Sequence, residues 1–143
     1  MGKNEFHHTV FIGNPAQEVW NALTRKAMID RYYMAPVIRL ELKPGGKIGY
    51  GTTSELITGV ITEIDEPKKF AHTFHFAGSD DPETTVTYEI EAVGDAMCML
   101  HIMHSGFPDE NQTYADICGG WPVITSSLKT ILETGQPLPW PKN

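Results

Sequence analysis

Apolar and polar residues change their spacing several times along this chain, and each change predicts an element. From Phe6 to Ile12 the period is two, with His8, Val10 and Ile12 on one face and His7, Thr9 and Phe11 on the other, which predicts a strand. Asn14-Pro15 then predicts a helix start, Asn as the N-cap and Pro at the first helical position, where its missing N–H costs nothing. Val19, Trp20 and Leu23 follow at helical spacing and carry that helix to about Thr24. A second short helix is expected over Lys26 to Arg31, ending at Tyr32, Tyr33 and Met34, just before Pro36.

Period two then returns. Val37 to Leu42 predicts a strand, Pro44-Gly45-Gly46 a tight turn, and Lys47 to Tyr50 and Leu56 to Ile64 two more strands, the last ending at Asp65-Glu66-Pro67. Phe70, His72, Phe74 and Phe76 alternate with smaller residues, so one face of that strand is aromatic. Gly78 to Pro82 forms an acidic loop. Val86, Tyr88, Ile90 and Ala92 share one face of the next strand, and Gly94-Asp95 marks a hairpin turn. Beyond it Cys98, Leu100, Ile102 and His104 oppose Met97, Met99, His101 and Met103.

The last pattern is helical. Tyr114, Ile117, Cys118, Trp121, Ile124, Leu128, Ile131 and Leu132 recur at three and four residues and form one apolar stripe. Gly119, Gly120 and Pro122 interrupt it, so its early part is expected to be bent or loosely wound. Gly135 reads as the C-cap, and Pro137, Pro139 and Pro141 forbid continuation.

Strand, two helices, six strands and a long helix predict one α+β domain, spanning residues 1–143. Its curved antiparallel sheet of about seven strands must bury one face, and only the terminal helix is long enough to cover it. A curved sheet on a single helix seldom fills its interior with side chains alone, which predicts a ligand cavity between them. A solidly filled interior would instead move the reading to surface recognition.

Charge narrows the partners. Eleven Lys and Arg against eighteen Asp and Glu give a net charge of −7, which repels phosphate backbones and excludes nucleic acid. No apolar run approaches the ~18 residues of a membrane span, and Met1 to His8 is polar, so a cytoplasmic chain without membrane insertion is expected. The two cysteines, Cys98 and Cys118, match no zinc motif; both are expected to point inward, where they could approach each other, as free thiols. Met97, Met99 and Met103 are either an exposed soft stripe for a partner or a stripe covered by a neighbouring segment. The acidic stretch Asp80, Asp81 and Glu83 reads as a solvated loop.

The candidate ligand-lining set is Tyr33, His72, Phe74, Phe76, Tyr88, Leu100, His104 and Trp121. The aromatic members supply apolar wall, with ordinary core packing as the plain alternative. His72 and His104 fall on apolar faces, as polar anchors for a ligand or as buried rings satisfied by backbone. His8 shares that sheet face, but nothing arranges the three imidazoles for a metal, so neither metal nor cofactor is expected. No catalytic residue is legible: Ser105 and His104 are neighbours in a strand and point to opposite faces.

Several motifs in order bring a resemblance. Asn14 to Thr24 (Asn-Pro-Ala-Gln-Glu-Val-Trp-Asn-Ala-Leu-Thr) resembles the opening of the SRPBCC superfamily. Pro44 to Lys47, Gly59 to Pro67, Thr84 to Thr87, His104 to Phe107, Gly120-Trp121-Pro122 and Leu132 to Gly135 follow in family order, from about Val10 to Gly135. The subgroup they resemble is the one named after the activator of heat-shock protein 90 ATPase. The resemblance implies a helix-grip fold, of the START or birch-pollen-allergen type. Two departures stand out: Arg31-Tyr32-Tyr33 where the family commonly has an aromatic pair beginning with Trp, and His72 where it places an apolar or aromatic residue.

Three functions follow as expectations. The first is non-enzymatic binding of a small hydrophobic ligand, lipid-like or aromatic. The second, implied by the subgroup, is a co-chaperone-like stress-response protein that binds heat-shock protein 90 and stimulates its ATPase, or associates with itself. The third, implied by other helix-grip proteins, is a polyketide cyclase or aromatase with His72, His104 and Tyr88 as acid–base groups.

Overall fold

The computed structural model describes residues 4–139 and 141, so Met1 to Lys3 of the polar N-terminal stretch lie outside the described residues. Ten elements follow in the order β1 (Phe6–Ile12), α1 (Ala16–Thr24), α2 (Lys26–Tyr32), β2 (Val37–Leu40), β3 (Lys47–Gly51), β4 (Glu55–Asp65), β5 (Lys69–Phe76), β6 (Thr84–Val93), β7 (Met97–Ser105) and α3 (Gln112–Thr134). The seven strands form one antiparallel sheet in the order β1-β7-β6-β5-β4-β3-β2. Strands β2 to β7 are successive neighbours. The two short helices carry the chain from β1 at one edge to β2 at the other.

Register slips between Val37 and Arg39, Tyr50 and Gly51, and Ile61 and Glu63 put irregularities into three consecutive strand pairs. Such irregularities bend and twist a sheet locally. Gly59 lies in the same region, and a β-carbon there would run into the Thr73 carbonyl, so only glycine lets β4 and β5 approach this closely. The inner face is closed by α3, whose Ile117, Trp121, Ile124, Leu128 and Ile131 are buried with Phe70, Phe74, Tyr88, Leu100 and Ile102 of the sheet.

Both ends of α3 are anchored by polar groups. At the start, the Asn111 side chain accepts from the Tyr114 amide at 2.9 Å, and Asp81 accepts from the amide and hydroxyl of Thr113 at 3.0 and 2.8 Å. Asp81 is therefore a fastening between the β5–β6 loop and the positive end of α3, not part of a merely solvated loop. At the other end, Gly135 takes φ 77°, the left-handed cap that ends helices, and its amide donates to the Ile131 carbonyl at 2.8 Å. α3 runs through Gly119, Gly120 and Pro122 as one helical span.

The start of α1 differs from expectation. Pro15, not Asn14, is the N-cap, with extended backbone at ψ 155° and no side-chain cap. The Asn14 amide group is engaged elsewhere: it donates to the Leu132 carbonyl at 2.6 Å, while the Gly13 amide donates to Glu133 at 2.6 Å. The link after β1 is thereby bound to the end of α3. β2 stops at Leu40 rather than Leu42, because Glu41 turns its carboxylate onto the Lys47 amide at 3.1 Å.

Cys98 and Cys118 do not approach each other. Cys98 pairs with Ile12, beside the link that meets Leu132, and Cys118 lies about 21 Å up α3 from Leu132 at 1.5 Å per residue. Both are free thiols, Cys98 buried and Cys118 half-buried. Burial pushes the Cys98 thiol pKa up.

Candidate functional site

Two small voids flank Trp121 between α3 and the sheet. The outer one is a slot of about 50 Å³ that opens between the end of α2, β4–β5 and α3. Ile57, Phe74 and Phe76 form its sheet wall, Ile117, Trp121 and Ile124 its helix wall, and Tyr33 and Met34 its near end. Asp116 is the one carboxylate at its rim. Gly120 contributes no side chain; a β-carbon there would meet only the Met34 methyl, at 3.9 Å. Met34 is 62% exposed, so a loosely held, unbranched side chain stands at the mouth.

The inner void measures about 10 Å³, at the lower limit of what one water needs. Tyr33, Tyr88 and Trp121 are among its walls. The interior is thus far fuller than the roomy wedge that sheet curvature suggested, and the reason is aromatic volume. Tyr33 stacks on Tyr50 at 4.3 Å, Phe70 on Tyr88 at 5.5 Å, and Tyr88 meets the Trp121 ring edge-on at 5.9 Å. Burial raises the phenol pKa values of Tyr33, Tyr50 and Tyr88, so all three stay neutral.

His72 and His104 lie behind these walls. Neither lines the slot, and both are wholly buried. His72 donates from Nδ1 to the Thr73 carbonyl at 2.7 Å, which leaves Nε2 to accept from the Tyr88 hydroxyl at 3.0 Å. His104 has the opposite tautomer. The Trp121 indole is a donor only, so Nδ1 accepts from it at 3.1 Å, and Nε2 donates to the Thr84 hydroxyl at 2.8 Å. Thr84 in turn donates to the Phe74 carbonyl at 3.2 Å. Burial lowers the His72 pKa to about 4, and burial followed by repulsion from His72 lowers that of His104 to about 3. Both rings are neutral with every nitrogen engaged, so neither presents a free nitrogen to a ligand. Leu100, also fully buried, is ordinary core.

Of the eight candidate residues, the structure gathers Tyr33, Phe74, Phe76 and Trp121 around the slot and sets Tyr88 at the inner void. His8 is engaged by the Thr125 hydroxyl at 3.0 Å. Met34, Ile57 and Gly120 were not anticipated. The one available signal for them was Gly120 itself, a glycine in a helix interior whose cost needs a packing reason.

A larger hollow lies elsewhere, an open groove of about 570 Å³ on the outer side of the sheet. Lys68, Lys69, Glu89 and Glu91 line it with charge, and it does not suit an apolar guest.

A seven-stranded antiparallel sheet curled around one long C-terminal helix, with two short helices after its first strand, is the helix-grip architecture. Residues 14–133 match the family described as activator of Hsp90 ATPase homolog 1-like protein, and the chain belongs to that family. No curated protein sequence matches it. Among solved structures, an HSP90 activator, PFC0360w of Plasmodium falciparum, is similar with a TM-score of 0.76 at 25% identity, over 90% of this chain and 96% of that one. CalU16 of Micromonospora echinospora has a TM-score of 0.78 at 21% identity, over 94% and 77%. The Aha1 dimer of Colwellia psychrerythraea has a TM-score of 0.79 at 18% identity, over 92% and 98%. Among the described residues no helix is long and apolar enough to cross a membrane.

Proposed function

We propose that the chain binds a small hydrophobic molecule, aromatic or lipid-like, whose apolar end enters the slot beside Met34. The observation that carries this reading is the slot's wall: six apolar side chains and one helix glycine, stoppered by an exposed methionine. Its 50 Å³ accommodates only about three or four atoms at ~15 Å³ each. A full ligand, for which pockets run to about 300 Å³ and more, therefore needs Met34 to swing aside. Binding is driven by burial of apolar surface, at roughly 25 cal/mol per Å².

The test is thermal unfolding with a panel of single-ring aromatics, fused-ring aromatics and medium-chain fatty acids. Ligands that fit raise the melting temperature of the wild type. Met34→Ala strengthens the effect and Gly120→Leu, which plants a side chain in the slot, removes it. A panel that shifts neither the wild type nor Met34→Ala overturns the proposal.

A second reading has its own support. The family description and the Plasmodium activator favour a co-chaperone-like role toward heat-shock protein 90, and the nearly filled interior favours recognition by surface. The dimeric Colwellia neighbour favours self-association in the same way. Stimulation of chaperone ATPase by the purified chain, unaffected by Gly120→Leu, would select the co-chaperone reading. The cyclase-like reading draws no support from His72, His104 and Tyr88, which are spent on one another and on the core.

A further inference from the structure

The outer face of the sheet carries a histidine pair that the slot does not involve. His7 on β1 and His101 on β7 lie on adjacent strands and on the same face, two residues apart in register, because Thr9 is the direct partner of His101 and Met103 that of His7. Their facing nitrogens, His7 Nδ1 and His101 Nε2, are 3.1 Å apart. Each ring's far nitrogen is held as well. His7 Nε2 lies 3.1 Å from the Glu5 carboxylate, and His101 Nδ1 lies 2.7 Å from the Thr9 hydroxyl. The pair is accessible, with the His7 side chain 49% exposed.

We infer that His7 Nδ1 and His101 Nε2 form a chelating site for a divalent transition-metal ion such as zinc. The separation agrees with that geometry. Two nitrogens at about 2.05 Å from one ion stand about 2.9 Å apart at a right angle and about 3.3 Å apart at the tetrahedral angle. The ring centroids are 5.3 Å apart. Two imidazoles on one tetrahedral ion place them about 5.2 Å apart, with each ring turned by roughly 35° from the line that joins the two nitrogens.

The outer partners complete the case. A metal-bound histidine typically gives its other N–H to a carboxylate or another oxygen, which fixes ring and tautomer. Glu5 and Thr9 provide this for both rings. Without metal and with both rings neutral, these contacts fit one proton order, from the Thr9 hydroxyl to His101, from His101 to His7, and from His7 to Glu5. Metal binding replaces the one N–H between the rings. The His101 proton moves from Nε2 to Nδ1, Thr9 changes from donor to acceptor, and no net proton is released. Glu89 stands opposite His101 on β6, and the chain's charge of −7 favours a cation. Among the described residues no three His, Cys, Asp or Glu side chains gather as ligands, so water fills the remaining positions.

The experiment is calorimetric titration of the full, untagged, metal-free chain with zinc chloride, alongside imidazole ¹⁵N spectra. The wild type takes up one zinc ion saturably, and the His7 Nδ1 and His101 Nε2 resonances shift together. His7→Ala and His101→Ala abolish saturable uptake, while His75→Ala, remote from the pair, binds as wild type. Thr9→Val leaves both ligands in place and weakens binding about ten-fold or more through loss of the outer partner. No saturable uptake up to about millimolar zinc, well beyond any useful affinity, overturns the site. So does a His101→Ala chain that titrates like the wild type.

Discussion

The two buried imidazoles predict a stability loss on mild acidification that no carboxylate supplies. In the folded chain the pKa is about 4 for His72 and about 3 for His104, against 6.5 for a solvated ring. Between these limits the unfolded chain binds protons that the folded chain refuses. Stability is therefore full above pH 6.5 and falls as the pH drops toward the folded values. At about pH 5.5 each ring costs ~1.4 kcal/mol of stability, against ~0.2 kcal/mol at about pH 7. Together they remove about 2.5 kcal/mol over that interval, a large share of a typical stability of about 5–15 kcal/mol. Carboxylates act in a lower window. Asp81, held below its ordinary range by the Thr113 hydroxyl and amide, and Glu133, held down by Lys129 and the Gly13 amide, withdraw their stabilisation only as the pH falls below the solvated carboxylate range. Urea unfolding of the wild type, His72→Gln and His104→Gln at the two pH values measures the effect. Each variant should lose about half of the pH-dependent difference, whatever its absolute stability. The same pH dependence in both variants, or ¹⁵N spectra showing either ring charged at about pH 5.5, would refute the reasoning.

Other substitutions probe the fastenings. Trp121→Phe removes the donor to His104 Nδ1 and should destabilise by about 2–4 kcal/mol in urea unfolding, combining a buried unsatisfied acceptor with lost ring area. Asp81→Ala frees the β5–β6 loop from the first turn of α3 and should lower the melting temperature, with faster amide exchange at Thr113. Gly119→Ala meets nothing within 4 Å and should stabilise α3 by up to about 1 kcal/mol through helix propensity, visible as a raised melting temperature.

The order of elements was readable because both periodicities are strong. Phe70, His72, Phe74 and Phe76 at every second position, and Ile117, Trp121, Ile124, Leu128 and Ile131 at helical spacing, leave little choice of face. What stayed hidden depends on contacts between distant segments. Asn14 has the chemistry of an N-cap, but the Leu132 carbonyl, 118 residues away, claims its side chain. Asp81 resembles any loop acid until α3 places the Thr113 amide beside it. The fullness of the interior was hidden for a related reason. Periodicity says which side chains point inward, and not how closely stacked rings such as Tyr33 and Tyr50 fill the space they share.

The buried polar pairs and the slot belong to one construction, since Trp121 serves both. Its indole N–H is fixed on His104, and its ring forms the back wall of the slot and one side of the inner void. Between two small voids, a hydrogen bond in a low-dielectric site fixes the orientation of this ring. His104 is in turn fixed by Thr84, which is tied to Phe74, and Phe74 is the opposite wall of the same slot. The two walls are thus joined through one neutral imidazole. Charging that imidazole removes the acceptor that Trp121 needs. Because the folded ring stays neutral down to about pH 3, acid should release the slot walls only as the fold itself is lost, and apolar-ligand affinity and the far-ultraviolet signal should fall together. A ligand midpoint at clearly higher pH than the far-ultraviolet midpoint would show that the walls open independently of the fold.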